Sequence, residues 1–588
     1  MNSFICQLNS LTREKFSYES KRDKYYENDL YTVVWNGEIY NYNELNNQAI
    51  TLGLSELDAT IEQIIIFLFT KRGVKLFSHL RGKFTILVWD KRNEILYGVR
   101  DRFGIESLFY VEELDQFYVS NFKSYLESRV NTNSNIELHA LQHYFTFQYV
   151  PDPLTLMDGC FKLRAGHYFI KKINEPLQQF AYFTPKITSL ASSREQKIKS
   201  IQETLYECVS ERVPKDEKIG AFLSGGIDST LITSIAHELN PDIKTFTIAF
   251  TEQDYSELSI AEKTVEALGL EHKKIIITPE RYVRSLLAMI YYLEEPLADP
   301  SAVPLYIGCQ EAKQEVDILL SGEGADELFG GYEIYREHNS LKVFKYLPRS
   351  LRRPMLDLAN YLPEGMRGKS FLYRGLTPLE KRYVGNAKIF DENEKRLLLN
   401  NYCPKGTTEK WLEKYFERVS TNHPMEKMQY IDWHTWLPGN ILFKASRLSR
   451  AAQLCIRLPF VDKKIYDIAS GLTVDEKIAN NTTKVTLREA AKGIVPDHIL
   501  FEKKRGFPVP LRKWLRDELY IWANRNISDA KTTEYISKDY ALKLLNEHVT
   551  GKYDHSRKLW AIIIFNLWYE IFVEETNLFE ETWHISVN

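Results

Sequence analysis

The sequence has few cysteines, no long apolar run and almost no net charge, and each of these absences excludes a class of protein. Its six cysteines are scattered without a Cys-x-x-Cys pair, which argues against a disulfide framework or a zinc site. No stretch stays apolar for the roughly 18 residues of a membrane span, and the first residues lack a signal-peptide pattern. A net charge of −3 gives no reason to expect a nucleic-acid or membrane partner. These features predict a cytoplasmic enzyme with reduced thiols and leave its oligomeric state open.

The order of strand and helix patterns predicts two domains. Short strand-like runs at 31–35, 83–89, 94–100 and 116–120 dominate the first part, with one helical pattern at 59–70. After residue 195, buried strands alternate with amphipathic helices, which is typical of a doubly wound parallel sheet. The polar, proline-containing stretch between these parts predicts a linker. The expected organisation is a first domain at 1–180, a linker at 181–194 and a second domain at 195–588.

A strand, a Ser-Gly-Gly loop and a helix follow one another at residues 218–236. Two glycines allow backbone N–H groups to approach a ligand, hydroxyl groups add donors, and a helix N-terminus favours an anion. An ordinary strand-to-helix turn would have the same pattern, and a Walker A loop is excluded because no Gly-Lys-Ser/Thr follows. The loop predicts a pyrophosphate site, and its candidate cofactor-binding residues are Leu223, Ser224, Gly225, Gly226, Asp228 and Ser229.

A second glycine-rich stretch, Ser321–Tyr332, follows the buried run Ile318–Leu320. It carries the carboxylates Glu323 and Asp326 at the end of a predicted strand, where open α/β sheets bind their ligands. A polar turn with solvated acids is the alternative. Beside a pyrophosphate loop, however, carboxylates at a strand end favour Mg²⁺ bound to triphosphate oxygens.

Both stretches resemble the ATP-pyrophosphatase half of the asparagine synthetase superfamily, as do 374–390 and 503–510. The resemblance implies that ATP is cleaved to AMP and pyrophosphate, that Asp228 and Asp326 bind Mg²⁺, and that Leu223 and Gly324 contact the adenylate. It also implies that Glu323 lies beside the acyl-adenylate and that Lys504 stabilises the charge of adenylation. The expected cofactors are therefore ATP and Mg²⁺.

The first half is similar to the family's glutaminase domain, a class II glutamine amidotransferase with a layered α/β/β/α Ntn-hydrolase fold. The similarity rests on 35–41, 100–105 and 145–151. The family's nucleophilic cysteine directly follows the initiator methionine, whereas this chain has Asn2 there. Cys6 falls inside an apparent strand, where thiols are usually inert. We therefore expect a degenerate glutaminase domain.

A basic stretch, 443–460, departs from the family pattern, with Ser446 and Cys455 in place of two acids. We expect its basic residues, from Lys444 to Arg457, to govern which carboxylate enters the site. Lasso-peptide cyclases and β-lactam synthetases share this architecture with a dead glutaminase half. The β-lactam enzymes carry tyrosine at the position of Glu323, which counts against that branch.

The favoured function is an AMP-forming amide ligase that cyclises a peptide to a macrolactam. Its substrate would be a precursor peptide or a small carboxylate, and the lasso-cyclase resemblance implies a leader-binding protein and a leader peptidase as partners. The alternative is an asparagine synthetase-like enzyme that uses free or externally supplied ammonia. A non-catalytic relative kept for interactions is disfavoured, because the loop residues Ser224 and Asp228, with Asp326 and Lys504, are all present.

Overall fold

The computed structural model describes most of the chain. The described residues are 3–10, 15–21, 24–56, 58–127, 129, 135–214, 216–252, 255, 257–362, 366, 368–502 and 506–574.

The first half contains two antiparallel sheets that pack face to face. The five-stranded sheet has the order β2-β1-β8-β7-β9 and the six-stranded sheet the order β11-β10-β6-β5-β4-β3. Their strands are β1 (Ser3–Asn9), β2 (Phe16–Lys21), β3 (Tyr25–Glu27), β4 (Tyr31–Ile39), β5 (Gly82–Asp90), β6 (Ile95–Arg100), β7 (Phe109–Glu112), β8 (Gln116–Ser120), β9 (Cys160–Lys162), β10 (His167–Lys172) and β11 (Gln178–Ala181).

Alternation along the strands gives each sheet two apolar faces. Val33 and Trp35 of β4 pack against α1 (Tyr42–Thr51) and α2 (Ile61–Arg72), whereas Val34 faces the other sheet. α3 (Lys123–Glu127) covers the outer face of the five-stranded sheet. The predicted α/β/β/α layering is thus confirmed. α4 (Leu138–Phe147) leads towards the second half.

The second half is built on a five-stranded parallel sheet with the order β14-β13-β12-β15-β16. Its strands are β12 (Ile219–Phe222), β13 (Lys244–Phe250), β14 (Glu271–Ile277), β15 (Ile318–Leu320) and β16 (Cys455–Arg457). All three residues of β15 are buried, as expected for a central strand of a parallel sheet. The predicted doubly wound α/β domain with added helices is therefore confirmed. A two-stranded hairpin, β17 (Ile478–Ala479) and β18 (Thr482–Thr483), lies beyond it.

The helices of the second half surround this sheet and form the added layers. They are α5 (Arg194–Ser210), α6 (Ile227–Leu239), α7 (Leu258–Leu268), α8 (Pro279–Arg284), α9 (Leu286–Leu293), α10 (Ala302–Lys313), α11 (Ala325–Phe329), α12 (Glu337–Ser340), α13 (Arg349–Tyr361), α14 (Lys369–Leu376), α15 (Glu392–Leu398), α16 (Thr408–Arg418), α17 (Pro424–His434), α18 (Phe443–Ala451), α19 (Lys463–Ala469), α20 (Val474–Lys477), α21 (Val485–Ala490), α22 (Asp497–Leu500), α23 (Leu511–Trp514), α24 (Tyr520–Ser528), α25 (Lys538–Val549) and α26 (Ser556–Phe572).

The two halves are joined between the end of β11 at Ala181 and the start of α5 at Arg194. The limits 1–180, 181–194 and 195–588 stay a prediction. None of the described helices combines the length and apolar character needed to cross a membrane.

Candidate active site

The Ser-Gly-Gly loop joins the carboxyl end of β12 to the N-terminus of α6, where the sequence predicts a ligand site. Ser224 Oγ lies 2.9 Å from Ser229 Oγ and accepts the Gly226 N–H at 3.1 Å. The Ser224 N–H donates to Ser229 Oγ at 3.0 Å. These hydrogen bonds within the loop fix its shape.

The N-terminus of α6 remains open to an anion. Gly226 is the residue before the helix, and no side chain caps the first turn. The first N–H groups of a helix have no partner within the helix, and the helix dipole adds positive potential there. Because α6 has 13 residues, this end can attract a phosphate group.

The loop that carries Asp228 meets the loop that carries Glu323 and Asp326 at the N-terminus of α6. They can meet because a glycine lies where the two backbones approach most closely. A Cβ atom on Gly322 would lie 3.0 Å from the Asp228 backbone carbon and from the Ser229 nitrogen. Asp228, Glu323 and Asp326 therefore line one cavity of about 550 Å³ together with Leu223 to Ser229. Gly324, at a φ of +91°, precedes α11 and does not line this cavity.

Lys484 connects the two predicted metal-binding carboxylates, and sequence reasoning missed it. Its Nζ pairs with Asp228 Oδ2 and lies 2.6 Å from Asp326 Oδ1. The residue is buried in a left-handed conformation between β18 and α21. Gly331 leaves the space for it, since a Cβ there would lie 2.2 Å from Lys484 Cε and 1.9 Å from Asp326 Oδ1.

A largely buried ion pair forms another wall of the cavity. Lys444 Nζ donates to Asp299 Oδ2 at 2.8 Å and to Ser301 Oγ at 2.7 Å, and Asn440 donates to the same carboxylate. A π-helical turn, Leu437–Leu442, carries Asn440 into place ahead of α18. Burial would raise the pKa of Asp299, but Lys444 lowers it well below its usual range, so this carboxylate is ionised at neutral pH.

The predicted catalytic residue Lys504, with its neighbours Lys503 and Arg505, lies outside the described residues. The chain that follows, Gly506 to Pro508, lines the cavity beside Arg488, which sequence reasoning also missed. The role of Lys504 stays a prediction.

Comparison with known proteins identifies the family. The asparagine synthase family matches residues 200–570, and a glutamine amidotransferase domain family matches residues 19–182. A Bacillus subtilis protein named asparagine synthetase (glutamine-hydrolyzing) 1 is 42% identical over 561 residues, which cover 95% of this chain and 88% of the relative. A putative asparagine synthetase of Mycobacterium tuberculosis H37Rv is 40% identical over 559 residues, covering 93% and 85%.

The chain belongs to the asparagine synthetase family. This membership makes it an ATP-dependent carbon–nitrogen ligase with an amidotransferase-type first half.

In this asparagine synthetase family member, the basic residues of the stretch 443–460 do not line the cavity together, although we expected them to govern which carboxylate enters it. Of its basic residues only Lys444 lines the cavity, and Ser446 is buried in α18. The other three bind acidic or carbonyl groups elsewhere: Arg447 pairs with Glu294 at 2.9 Å, Arg450 pairs with Glu106, and Arg457 pairs with Glu38 at 2.6 Å. The prediction was wrong for these three, because α18 and β16 turn them towards other neighbours.

Two of these contacts join the second half to the stretch 35–41, on which the similarity to a glutaminase domain partly rests. Asn36 Nδ2 donates to Glu106 Oε2 at 3.2 Å, and Glu106 in turn pairs with Arg450. Glu38 binds Arg457, with Lys83 at 3.5 Å. Asn36 is thus linked to the second half through Glu106, and Glu38 is paired with it directly.

Cys6 lies in β1, as the sequence predicts, and is buried between the two sheets. Burial raises the pKa of its thiol far above the ordinary value, so it stays protonated at neutral pH. Because the thiolate is the nucleophilic form, the position of Cys6 does not suit nucleophilic catalysis.

Proposed function

We propose that the chain converts aspartate and ammonia to asparagine, while ATP is cleaved to AMP and pyrophosphate. The observation that carries this proposal is one cavity in which a helix N-terminus, a lysine-bridged pair of carboxylates and the Asp299–Lys444 ion pair face one another. The first two features fit a triphosphate, and the third lies where the second substrate would bind. Family membership supports the same reaction.

The carboxylates fit a divalent cation. Asp228 Oδ1 is buried and has no hydrogen-bond partner among the described residues, although its other oxygen binds Lys484. A buried carboxylate oxygen without a partner is costly unless a cation completes it. Asp228 and Asp326 would therefore hold Mg²⁺, which neutralises charge on the phosphate oxygens when it is bound.

The chain's own groups can perform the binding and the charge stabilisation. The α6 N-terminus and the Ser224–Ser229 loop would bind the pyrophosphate portion, while Phe246 to Ile248 offer an apolar edge for the adenine ring. A carboxylate oxygen of aspartate would attack the α-phosphorus and release pyrophosphate. Lys484 would stabilise the negative charge that develops there.

Amide formation completes the reaction. Ammonia would attack the acyl carbon of the aspartyl-adenylate, lose a proton and expel AMP. Glu323, which lines the cavity, is the proposed residue beside that intermediate. We propose free or externally supplied ammonia as the amine source, because Cys6 is buried and its thiol protonated.

Macrolactam formation on a peptide is the weaker candidate. It was favoured because lasso-peptide cyclases also combine this architecture with a dead glutaminase half, and because the basic stretch departs from the family pattern. Of the basic residues in that stretch, only Lys444 lines the cavity. The relatives named above carry the name asparagine synthetase, which favours aspartate as substrate.

A product assay separates these candidates. Purified protein is incubated with ATP, Mg²⁺, aspartate and ammonium chloride, and products are identified by mass spectrometry. We expect asparagine, AMP and pyrophosphate in equal amounts, with no product when glutamine replaces ammonium. AMP release that ignores aspartate but requires a linear peptide, with loss of one water from that peptide, would favour the macrolactam reaction instead.

A further inference from the structure

A second cavity lies in the helical layers of the second half and shares no lining residue with the first. It has a volume of about 390 Å³, which falls in the range of small-molecule sites. The residues used below line it: Glu337, His338, Lys342, Arg374, Arg382 and His423. Nothing in the proposed reaction uses this cavity.

The polar groups of this cavity favour an oxyanion. Arg382 forms an ion pair with the buried Glu337 at 2.5 Å, which neutralises both. Arg374 reaches the same carboxylate only at 3.5 Å, and Lys342 lies exposed at the rim. Asp475 is the only other acid that lines the cavity, so the lining side chains carry one net positive charge with both histidines neutral.

One unused hydroxyl group adds to this charge. Thr377 Oγ1 is buried and has no hydrogen-bond partner among the described residues. The rings of His338 and His423 meet edge to face, with centroids 4.7 Å apart, and their Nδ1 atoms already bind Tyr335 O and the Met425 N–H. A hydroxyl group beside two cations is a donor that a carboxylate or phosphate group recognises.

Four segments of the chain run from this cavity to the ATP cavity. Each has one end among the residues that line the second cavity and the other end among those that line the first. The segments are 333–338, 382–386, 423–436 and 478–484. The last ends at Lys484, which bridges Asp228 and Asp326.

Asp432 ties three of these segments together between the two cavities. It is buried in α17, within segment 423–436. Its Oδ2 accepts hydrogen bonds from Tyr335 at 2.5 Å and from Tyr383 at 2.6 Å. Tyr335 belongs to 333–338 and Tyr383 to 382–386. Because these hydrogen bonds join the segments, a displacement of one segment would displace the others.

We propose that the second cavity is an effector site for a small organic oxyanion, which binds between Arg374 and Lys342 and changes the affinity of the first cavity for ATP. The contact that couples the sites is Asp432 with its two tyrosines. The effector's binding is independent of the proposed function, and only its effect on ATP rests on that function.

Binding is tested without turnover, so that failure of the effector site is distinguishable from failure of the proposed reaction. Titration calorimetry with inorganic phosphate and with malate separates a phosphate ligand from a carboxylate ligand. We expect at least one probe to bind at or below about 10 mM, and the double variant Lys342→Ala/Arg374→Ala to weaken it at least tenfold. The matched control is Arg353→Ala/Lys410→Ala, since both cations are exposed and neither lines the cavity.

A second series tests the coupling. The bound probe should change the dissociation constant of ATP about fivefold or more in the wild type. In Asp432→Leu, which has no acceptor for the two tyrosines, the probe should still bind, but the ATP constant should no longer respond. The proposal is overturned if neither probe binds, if the double variant binds as well as the control, or if ATP affinity ignores the probe. A response that persists in Asp432→Leu would overturn the coupling contact.

Discussion

The two halves place similar polar groups at the edges of their sheets, but they use them differently. In the first half, Asn36 donates a hydrogen bond to Glu106, which pairs with Arg450 of the second half. Glu38 pairs directly with Arg457 of the second half. In the second half, Asp228 and Asp326 face an open cavity, and Lys484 bridges them. The first arrangement joins two domains, whereas the second leaves room for a ligand.

This difference teaches that residue identity alone does not mark a working site. Glu38 is held ionised: burial would raise its pKa, but Lys83 and Arg457 lower it well below the usual range. The same pairing occupies both carboxylate oxygens of Glu38 with Arg457. An open cavity with an unsatisfied carboxylate oxygen, as at Asp228, is the stronger sign of chemistry.

The largest expected effect comes from the open site. Asp228→Asn or Asp326→Asn removes a charge that Mg²⁺ requires, so asparagine formation should fall by roughly a thousandfold or more. Circular dichroism should show an unchanged fold. The exposed Asp242→Asn is the matched control and should keep full activity. Activity within a few fold of wild type in both variants would mean that no metal binds here.

Lys484→Met should have the next largest effect, a loss of roughly a hundredfold in kcat/KM for ATP. Methionine keeps much of the stem but removes the charge that both carboxylates and the phosphates would contact. Lys492→Met, an exposed lysine a short distance along the chain, should be silent. If the two variants behave alike, Lys484 has only a structural role.

Substitutions in the Glu38–Arg457 pair, which joins the two halves, should lower the stability of the protein and leave its catalytic rate unchanged. Arg457→Gln leaves Glu38 without its main partner and should lower the free energy of unfolding by about 2 kcal/mol, as measured by urea denaturation. The double variant Glu38→Gln/Arg457→Gln should recover part of that loss. Cleavage of ATP should stay near the wild-type rate; a large fall would mean that this edge belongs to the active site.

The same pair predicts a pH dependence with a defined sign. Glu38 binds its proton more weakly in the folded chain than in the unfolded one, so its contribution is complete above the unfolded pKa of about 4.3. It is lost as the pH falls through the lower, folded pKa. Glu38→Gln should therefore flatten the acid limb of a stability–pH curve, and an unchanged limb would contradict the pairing.

Cys6→Ala should have the smallest effect. It leaves a small gap between the sheets and should cost about 1 kcal/mol of stability, with ammonia-dependent activity unchanged. Neither wild type nor variant should release glutamate from glutamine. Release by the wild type that the variant loses would show that Cys6 is a nucleophile after all.

The sequence predicts the loop at Ser224 well because its signals are local. A buried strand, two glycines and a helix pattern lie within about twenty consecutive residues, and the parallel sheet determines the edge at which they meet. The layering of the first half is equally readable, because β4 alternates between two apolar faces.

The sequence does not predict Lys484, since nothing local distinguishes it. It lies 256 residues after Asp228, and only the tertiary fold brings the two together. The prediction that the whole basic stretch faces the substrate was wrong for a related reason. A run of basic residues looks like one surface, but Lys444 faces the cavity while Arg457 faces the first half.

One isotope measurement tests the central claim, namely that the second half activates a carboxylate by adenylation. Aspartate labelled with ¹⁸O in its side-chain carboxylate is supplied with ATP, Mg²⁺ and ammonium, and AMP is analysed by mass spectrometry. Attack of that carboxylate on the α-phosphorus predicts one ¹⁸O atom in each AMP formed. Label found in inorganic phosphate, with ADP as the nucleotide product, would contradict the account.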